Sequence, residues 1–252
     1  MFAPPTPRRV AAGLLTAALI GVLATPVPGR ADEPCPEPDA LRLTDIALPA
    51  SRTEVAGDRR LVVLALGGAL TAGANAGDPD TTWPARLEDQ LRAALPAVDV
   101  RVINEGKPGN TAADIAPTLP GLLTRTGARL VIWGPGGRDV ALRLDQREFQ
   151  RAVDDGIAAA RRGGADLILL DMTYLPSATR MALLGPYRER LIRSATDNRI
   201  PLLQRHELMR LWSEDRTLNM DARTEADRIA VARRLFSCIA HSLSAPIAAA
   251  VR

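Results

Sequence analysis

The chain has 252 residues, enough for one domain and a targeting segment, and 46% of them are hydrophobic, which excludes a disordered protein. It carries 32 Lys and Arg against 29 Asp and Glu, and only 3% of its residues are aromatic. No basic stripe with interleaved aromatics accompanies that small excess, so no nucleic-acid partner is expected.

The first 31 residues read as a leader. Arg8 and Arg9 form a short basic region, and an apolar run follows from Val10 to Ala24, broken only by small residues and Thr16. Pro26, Pro28 and Gly29 end any helix, and Gly29-Arg30-Ala31 offers small residues at the positions a signal peptidase reads. This is the pattern of a secretory signal peptide cleaved after Ala31. An uncleaved anchor is the alternative, but the run falls short of the roughly 20 apolar residues a membrane helix needs. Loss of Arg8, Arg9 and Arg30 leaves 29 positive against 29 negative residues, a near-neutral mature chain. The expected location is periplasmic or secreted, with no stable membrane insertion after cleavage and no later stretch that spans a bilayer. The expected segments are 1–31 as signal peptide, 32–58 as a Pro- and Asp-rich extension running over the domain, and 59–252 as the domain itself.

Two cysteines, Cys35 and Cys238, are an even count in an exported chain and point to one disulfide. Two buried thiols are the other use of such a pair. The only histidines are His206 and His241, with no Cys or His cluster, so no metal site is expected.

From residue 61 onward strands and helices alternate. Leu61–Leu66 is a continuous apolar run, as in a strand buried on both faces. Trp83–Leu95 has helical spacing at Leu87, Leu91 and Leu95. Val98–Ile103 reads as a second strand, and 112–126 as a helix broken near Pro117–Pro120. Leu130–Trp133 is a third strand leading into the Gly-rich segment Gly134–Gly137. Phe149–Arg162 is a helix stopped by Gly163-Gly164. Leu167–Leu170 is a fourth strand, Ala182–Asn198 a helix, and Pro201–Leu203 a short fifth strand. Arg223–Leu243 closes the pattern as a long helix, apolar at Ile229, Ala232, Leu235, Phe236 and Ile239. Five apolar strands alternating with helices imply an α/β fold, a three-layer α/β/α sandwich around a five-stranded parallel sheet. Ligands in such sheets bind outside the carboxyl ends of the strands. Chemistry is therefore sought after Leu66, Ile103 and Trp133, and near Asn219.

Three segments after strands carry motif-like residues: Gly67-Gly68-Ala69-Leu70-Thr71 after the first, Asn104-Glu105-Gly106 after the second, and Gly136-Gly137-Arg138-Asp139 after the third. Their order, spacing and placement resemble the SGNH/GDSL hydrolase family, over about Arg60 to Leu243. A Trp-Pro-x-x-Leu stretch at Trp83–Leu87 strengthens the likeness. The resemblance implies a flavodoxin-like SGNH fold and, in that family, an ester hydrolase. It also assigns positions. Ala69 stands where the family has its nucleophilic serine, Gly106 where a backbone N–H serves the oxyanion hole, and Arg138 where an asparagine completes it. Asn219 stands in place of the histidine and Arg216 in place of its aspartate, with Asp215 as a shifted alternative. No catalytic set is intact in this alignment. Ser–His chemistry needs a nucleophile and a base, and alanine supplies neither.

Substitutes are few. Thr71 has a hydroxyl but no evident base, and capping a following turn is its ordinary use. His206 follows the fifth strand near the rim, and His241 lies near the chain end. Asp139, Asp171 and Asp215 are carboxylates that could pair with arginines. The glycine runs match neither Gly-x-x-x-x-Gly-Lys-Ser/Thr nor Gly-x-Gly-x-x-Gly, so no cofactor is expected. The candidate binding residues are Gly68, Ala69, Asn104, Gly106, Arg138 and Asp139. Arg138 has three possible settings. It folds back onto Asp139, Asp215 or Asp221, or points into the pocket beside the Gly106 N–H as an anion site, or is solvated. The expected function is that of a pseudoenzyme binding a small molecule, such as a carbohydrate or acyl ligand, or an envelope protein. The alternatives are an active ester or acetyl-ester hydrolase with substituted residues, and a structural component of an envelope assembly.

Overall fold

The computed structural model describes residues 1–2 and 35–252. The expected leader lies outside the described residues except for its first two positions. Five parallel strands, β1 (Arg60–Gly67), β2 (Asp99–Gly106), β3 (Leu130–Gly134), β4 (Asp166–Leu170) and β5 (Leu202–Leu203), form one sheet in the order β2-β1-β3-β4-β5. The chain moves outward from β1 to β2, then crosses back to β3. The loops leaving β1 and β3 therefore part at the carboxyl edge, which is where this strand order opens a crevice.

Helices cover both faces, as expected. One layer holds α1 (Pro49–Asp58), α2 (Trp83–Ala94), α8 (Arg205–Glu214) and α9 (Glu225–Val251). The other holds α3 (Ala112–Ile115), α4 (Leu119–Thr126), α6 (Gln146–Arg162) and α7 (Ala178–Asp197). A short α5 (Gly137–Leu142) sits at the carboxyl edge. Side chains alternate along β1, so Leu61, Val63 and Ala65 enter the first core and Val62, Leu64 and Leu66 the second.

Local chemistry sets the helix ends. The Thr82 hydroxyl accepts from Ala85 N at 3.4 Å, and Pro84 occupies the first turn of α2. The Asp145 carboxylate accepts from the N–H groups of Arg147 and Glu148, both at 2.9 Å, and starts α6. Phe149, Val153, Ile157 and Ala160 then line its buried face at helical spacing. The expected break in 112–126 is present as a 3₁₀ turn, Ala116–Thr118, between α3 and α4.

Three helices were not expected from the sequence. The extension contains α1, and Leu48 and Val55 there are buried in the core. The other two are α5 and α8. The α7 helix begins four residues earlier than the apolar spacing indicated and runs through Pro186. The expectation that no later stretch could span a bilayer is corrected by α9. It is long and apolar enough by composition. Its apolar residues, among them Phe236, Ile239, Leu243 and Ile247, pack into the first core, which accounts for that composition.

Cys35 and Cys238 form a disulfide with Cα atoms 5.4 Å apart, tying the segment ahead of α1 to α9. The bridge closes a loop with a sequence separation of 203. In the chain-entropy picture that stabilises the fold by about 5 kcal/mol. Alkylation of the folded protein without reductant should add no adduct by intact mass, and reduction should lower the melting temperature. Two adducts without reductant would remove the bridge from the argument.

Gly156 supplies a second prediction. A Cβ built there would lie 2.3 Å from Cζ3 of Trp133, whose ring is fully buried. Gly→Ala inside a helix ordinarily stabilises by up to about 1 kcal/mol. Here the clash reverses the sign, and Gly156→Ala should destabilise by about 1–3 kcal/mol in denaturant melts.

Candidate functional site

The turn after β1 is set by close packing. A Cβ at Gly106 would lie 2.3 Å from Ala72 N, so only glycine lets the Thr71–Ala72 peptide settle against the end of β2. Asn104 locks the arrangement. Its Nδ2 donates to Thr71 O at 2.9 Å, and its Oδ1 accepts from Gly106 N at 2.9 Å. The N–H that the family resemblance assigns to an oxyanion hole is thus taken by a neighbouring side chain. Gly106 and Asn104 brace the turn from behind and are not part of the cleft wall.

A cleft of about 410 Å³ opens at the carboxyl edge, between the segments that follow β1, β3, β4 and β5. Its volume falls in the range of small-molecule sites, about 300–1,000 Å³. Gly68, Ala69, Leu70 and Thr71 form one side. Gly134, Pro135, Gly137 and Arg138, with Val140 and Ala141 of α5, form another. Met172, Thr173, Leu175 and Leu184 supply a third, and Arg205 completes the lining. No carboxylate, imidazole, thiol or serine hydroxyl is among these residues.

Each expected site residue has a definite place. Ala69 lines the cleft and is exposed. Thr71 lines it while almost fully buried. Arg138 is exposed on the wall, and among the described residues no carboxylate pairs with it. The folded-back arrangement onto Asp139, Asp215 or Asp221 is therefore not adopted. Asp139 is 1% exposed and turned the other way. Its two carboxylate oxygens accept from Ala112 N at 3.2 and 3.1 Å, joining the start of α5 to the start of α3. Burial pushes its carboxyl up, opposed by the N–H groups of Ala112 and of Asp139 itself. Asn219 is exposed and accepts from Asp221 N at 3.3 Å, in a turn outside the cleft wall. Asp215 likewise accepts from Thr217 N at 2.8 Å, in an exposed turn. His241 is exposed on α9 beside Cys35, far along the chain from the cleft segments.

Gly136, in the turn that leads into α5, has a structural role of its own. Its φ is +102°, and a Cβ there would lie 2.3 Å from Cε of the cleft residue Met172. The positive φ is what calls for glycine there, because the Met172 methyl is the end of a flexible side chain and could move aside.

Behind the cleft runs a chain of ion pairs. Asp171, wholly buried at the end of β4, accepts from Arg188 Nε at 2.7 Å and from Met172 N at 2.7 Å. Arg188 also pairs with Glu207 at 3.0 Å, and Glu207 with Arg210 at 2.9 Å. Burial raises the Asp171 carboxyl, although Arg188 pulls it down. His206 packs edge-on to Tyr174, with ring centroids 5.4 Å apart, and does not line the cleft. Sequence reasoning stopped at His206 and passed over its neighbour Arg205, the residue that does line the cleft. The signal was available, because Arg205 lies just past the carboxyl end of β5.

A model of the Non-GDSL lipase-like family matches residues 34–252. The chain belongs to this family. Solved structures with similar folds include TesA, at 20% identity and a TM-score of 0.56, where the match covers 71% of this chain and 97% of that one. A catalytic mutant of Axe2, an acetylxylan esterase from Geobacillus stearothermophilus, matches at 17% identity and a TM-score of 0.55, covering 69% and 91%. AlinE4, an SGNH-hydrolase family esterase, matches at 22% identity and a TM-score of 0.54, covering 66% and 86%. At these identities the likeness is one of fold, and it bears out the SGNH architecture that the motifs implied. No curated protein matches the chain significantly.

His206 generates a pH prediction. Burial lowers its pKa below the ordinary 6.5, Arg188 lowers it further, and Asp171 and Glu207 oppose; Arg210 adds a small lowering. The unfolded chain therefore takes up the proton first. The stability owed to a neutral His206 is complete above about 6.5 and is lost as pH falls from there through the folded pKa. Chemical denaturation at pH 7.5 and pH 5 should show a smaller loss for His206→Gln than for the native protein. Equal losses would mean that the imidazole is not held neutral.

Proposed function

We propose that the protein binds an acyl-type ligand in the cleft without hydrolysing it, and does so in the periplasm or outside the cell. The observation that carries this reading is the composition of the cleft wall. Where the family resemblance places a nucleophile stands Ala69, and no residue lining the cleft is a general base. Thr71 is the one hydroxyl near that position, and it lines the cleft without an imidazole or carboxylate beside it in the wall. Leu70, Val140, Met172, Leu175 and Leu184 give the wall an apolar character that suits a hydrocarbon chain better than a carbohydrate, whose hydroxyls need many partners. Exposed large apolar side chains among residues 35–252 are Leu142 and Ile192, too few for an extensive protein-docking patch. The apolar leader-like run before Ala24 and the Cys35–Cys238 bridge support export. The neighbouring folds include esterases, but fold alone does not assign activity.

Loss of nucleophile or base from such a site ordinarily costs on the order of 10⁶ in turnover. Purified protein should therefore hydrolyse p-nitrophenyl acetate and butyrate no faster than a heat-killed control. It should also bind the neutral dye Nile red, and Ala141→Trp at the exposed mouth should abolish that binding with little change in melting temperature. Ester turnover that copurifies with the folded protein and disappears in Thr71→Ala would replace this reading with that of a hydrolase.

A further inference from the structure

Arg205 opens α8 and is 4% exposed. Its Nε donates to the main-chain oxygen of Asp171 at 2.8 Å. Among the described residues neither Nη1 nor Nη2 has an acceptor, and both lie 3.6 Å from where a Cβ on the cleft residue Gly134 would stand. Burial lowers the guanidinium to about 10, against the raising effect of Asp171, so it stays charged at neutral pH.

A buried cation needs a counter-charge with acceptor oxygens. The neighbouring carboxylates are committed elsewhere. Asp171 receives Arg188 on one oxygen and Met172 N–H on the other. Glu207 is shared between Arg188 and Arg210. The cleft wall itself contains no acid, and its second charged group is another cation, Arg138, at the exposed mouth. The two free Nη groups therefore present a fork of donors into an apolar cleft, an arrangement matched by the paired oxygens of a carboxylate.

We propose that the cleft receives a carboxylate-bearing amphiphile, its anionic head on the Nη groups of Arg205 and its hydrocarbon chain along Leu70, Val140, Met172, Leu175 and Leu184 toward the mouth. This rests on the reading of the cleft as an acyl-binding site and adds the head group and its orientation. A neutral alcohol or ester of the same chain would leave the buried guanidinium without an anion. The two cations rank by burial: the sheltered Arg205 takes the head, and Arg138 adds long-range attraction at the entrance.

Calorimetric titration of the native protein with decanoate, 1-decanol and methyl decanoate tests this directly. Water favours decanoate most strongly, so an apolar cleft alone would prefer the neutral compounds. The expected result is decanoate binding at least about tenfold tighter than either. Arg205→Met should remove that preference by lowering decanoate affinity at least about tenfold relative to decanol, and Arg205→Lys should retain part of it. Equal binding of decanoate and decanol overturns the carboxylate proposal and leaves the acyl-binding reading standing. Binding of none of the three overturns that reading itself. Should Arg205→Met fail to fold, the head-group series on native protein still decides, together with Arg138→Met. Loss of the carboxylate preference in Arg138→Met would place the head at the mouth and overturn the inward orientation.

Discussion

The sheet is organised around the burial of β1 on both of its faces. Leu61, Val63 and Ala65 belong to one core and Val62, Leu64 and Leu66 to the other, and every one of these side chains is 4% exposed or less. On its edges β1 pairs with β2 on one side and β3 on the other. Its carboxyl end then becomes the place where the chain leaves in opposite directions. The cleft is a consequence of this arrangement, because the segments after β1 and β3 part there and α5 roofs only one side.

Backbone proximity sets the shape of the cleft, and its chemistry is set separately. Gly106 and Gly136 stand where a Cβ would strike Ala72 N or Met172 Cε. These contacts persist without a serine at position 69 or an asparagine at position 138. Glycines set by packing at these positions therefore carry no information about catalysis. This is the physical reason that motif spacing reports the fold here more faithfully than it reports an activity.

The electrostatics behind the wall are layered by burial. Asp171, Arg188 and Glu207 satisfy one another at distances of 2.7–3.0 Å, with Arg210 at the solvent side. Arg205 enters this group through a main-chain oxygen alone and turns its remaining donors toward the cleft. In the proposed binding mode a charge in a low-dielectric wall would discriminate between head groups far more strongly than Arg138 at the solvated mouth. Burial and the Arg188 charge lower the pKa of His206, one residue further on, against the opposing pull of Asp171 and Glu207.

Much of the fold was legible in the sequence because strands buried on both faces are written as unbroken apolar runs. Leu61–Leu66 and Leu167–Leu170 need no partner to be recognised, and the glycines after β1 and β3 mark the edge where the site lies. The Cys35–Cys238 pairing was expected from an even cysteine count behind a leader-like first segment. The absence of a serine at position 69 was equally plain from the sequence. Other features depended on contacts between distant segments. The α1 helix is held by the core that buries Leu48 and Val55, and α8 by the burial of Leu208, Met209 and Trp212. The uses of Gly106 N–H, Asp139 and Asn219 depend on partners in three dimensions: Asn104, Ala112 and a local turn respectively. Residue type and spacing determined the strands and the order of the segments that line the cleft. Only tertiary packing decided which arginine is buried in the cleft with donors free, because Gly134 and Asp171, which lie against the Arg205 guanidinium, are far from it in sequence.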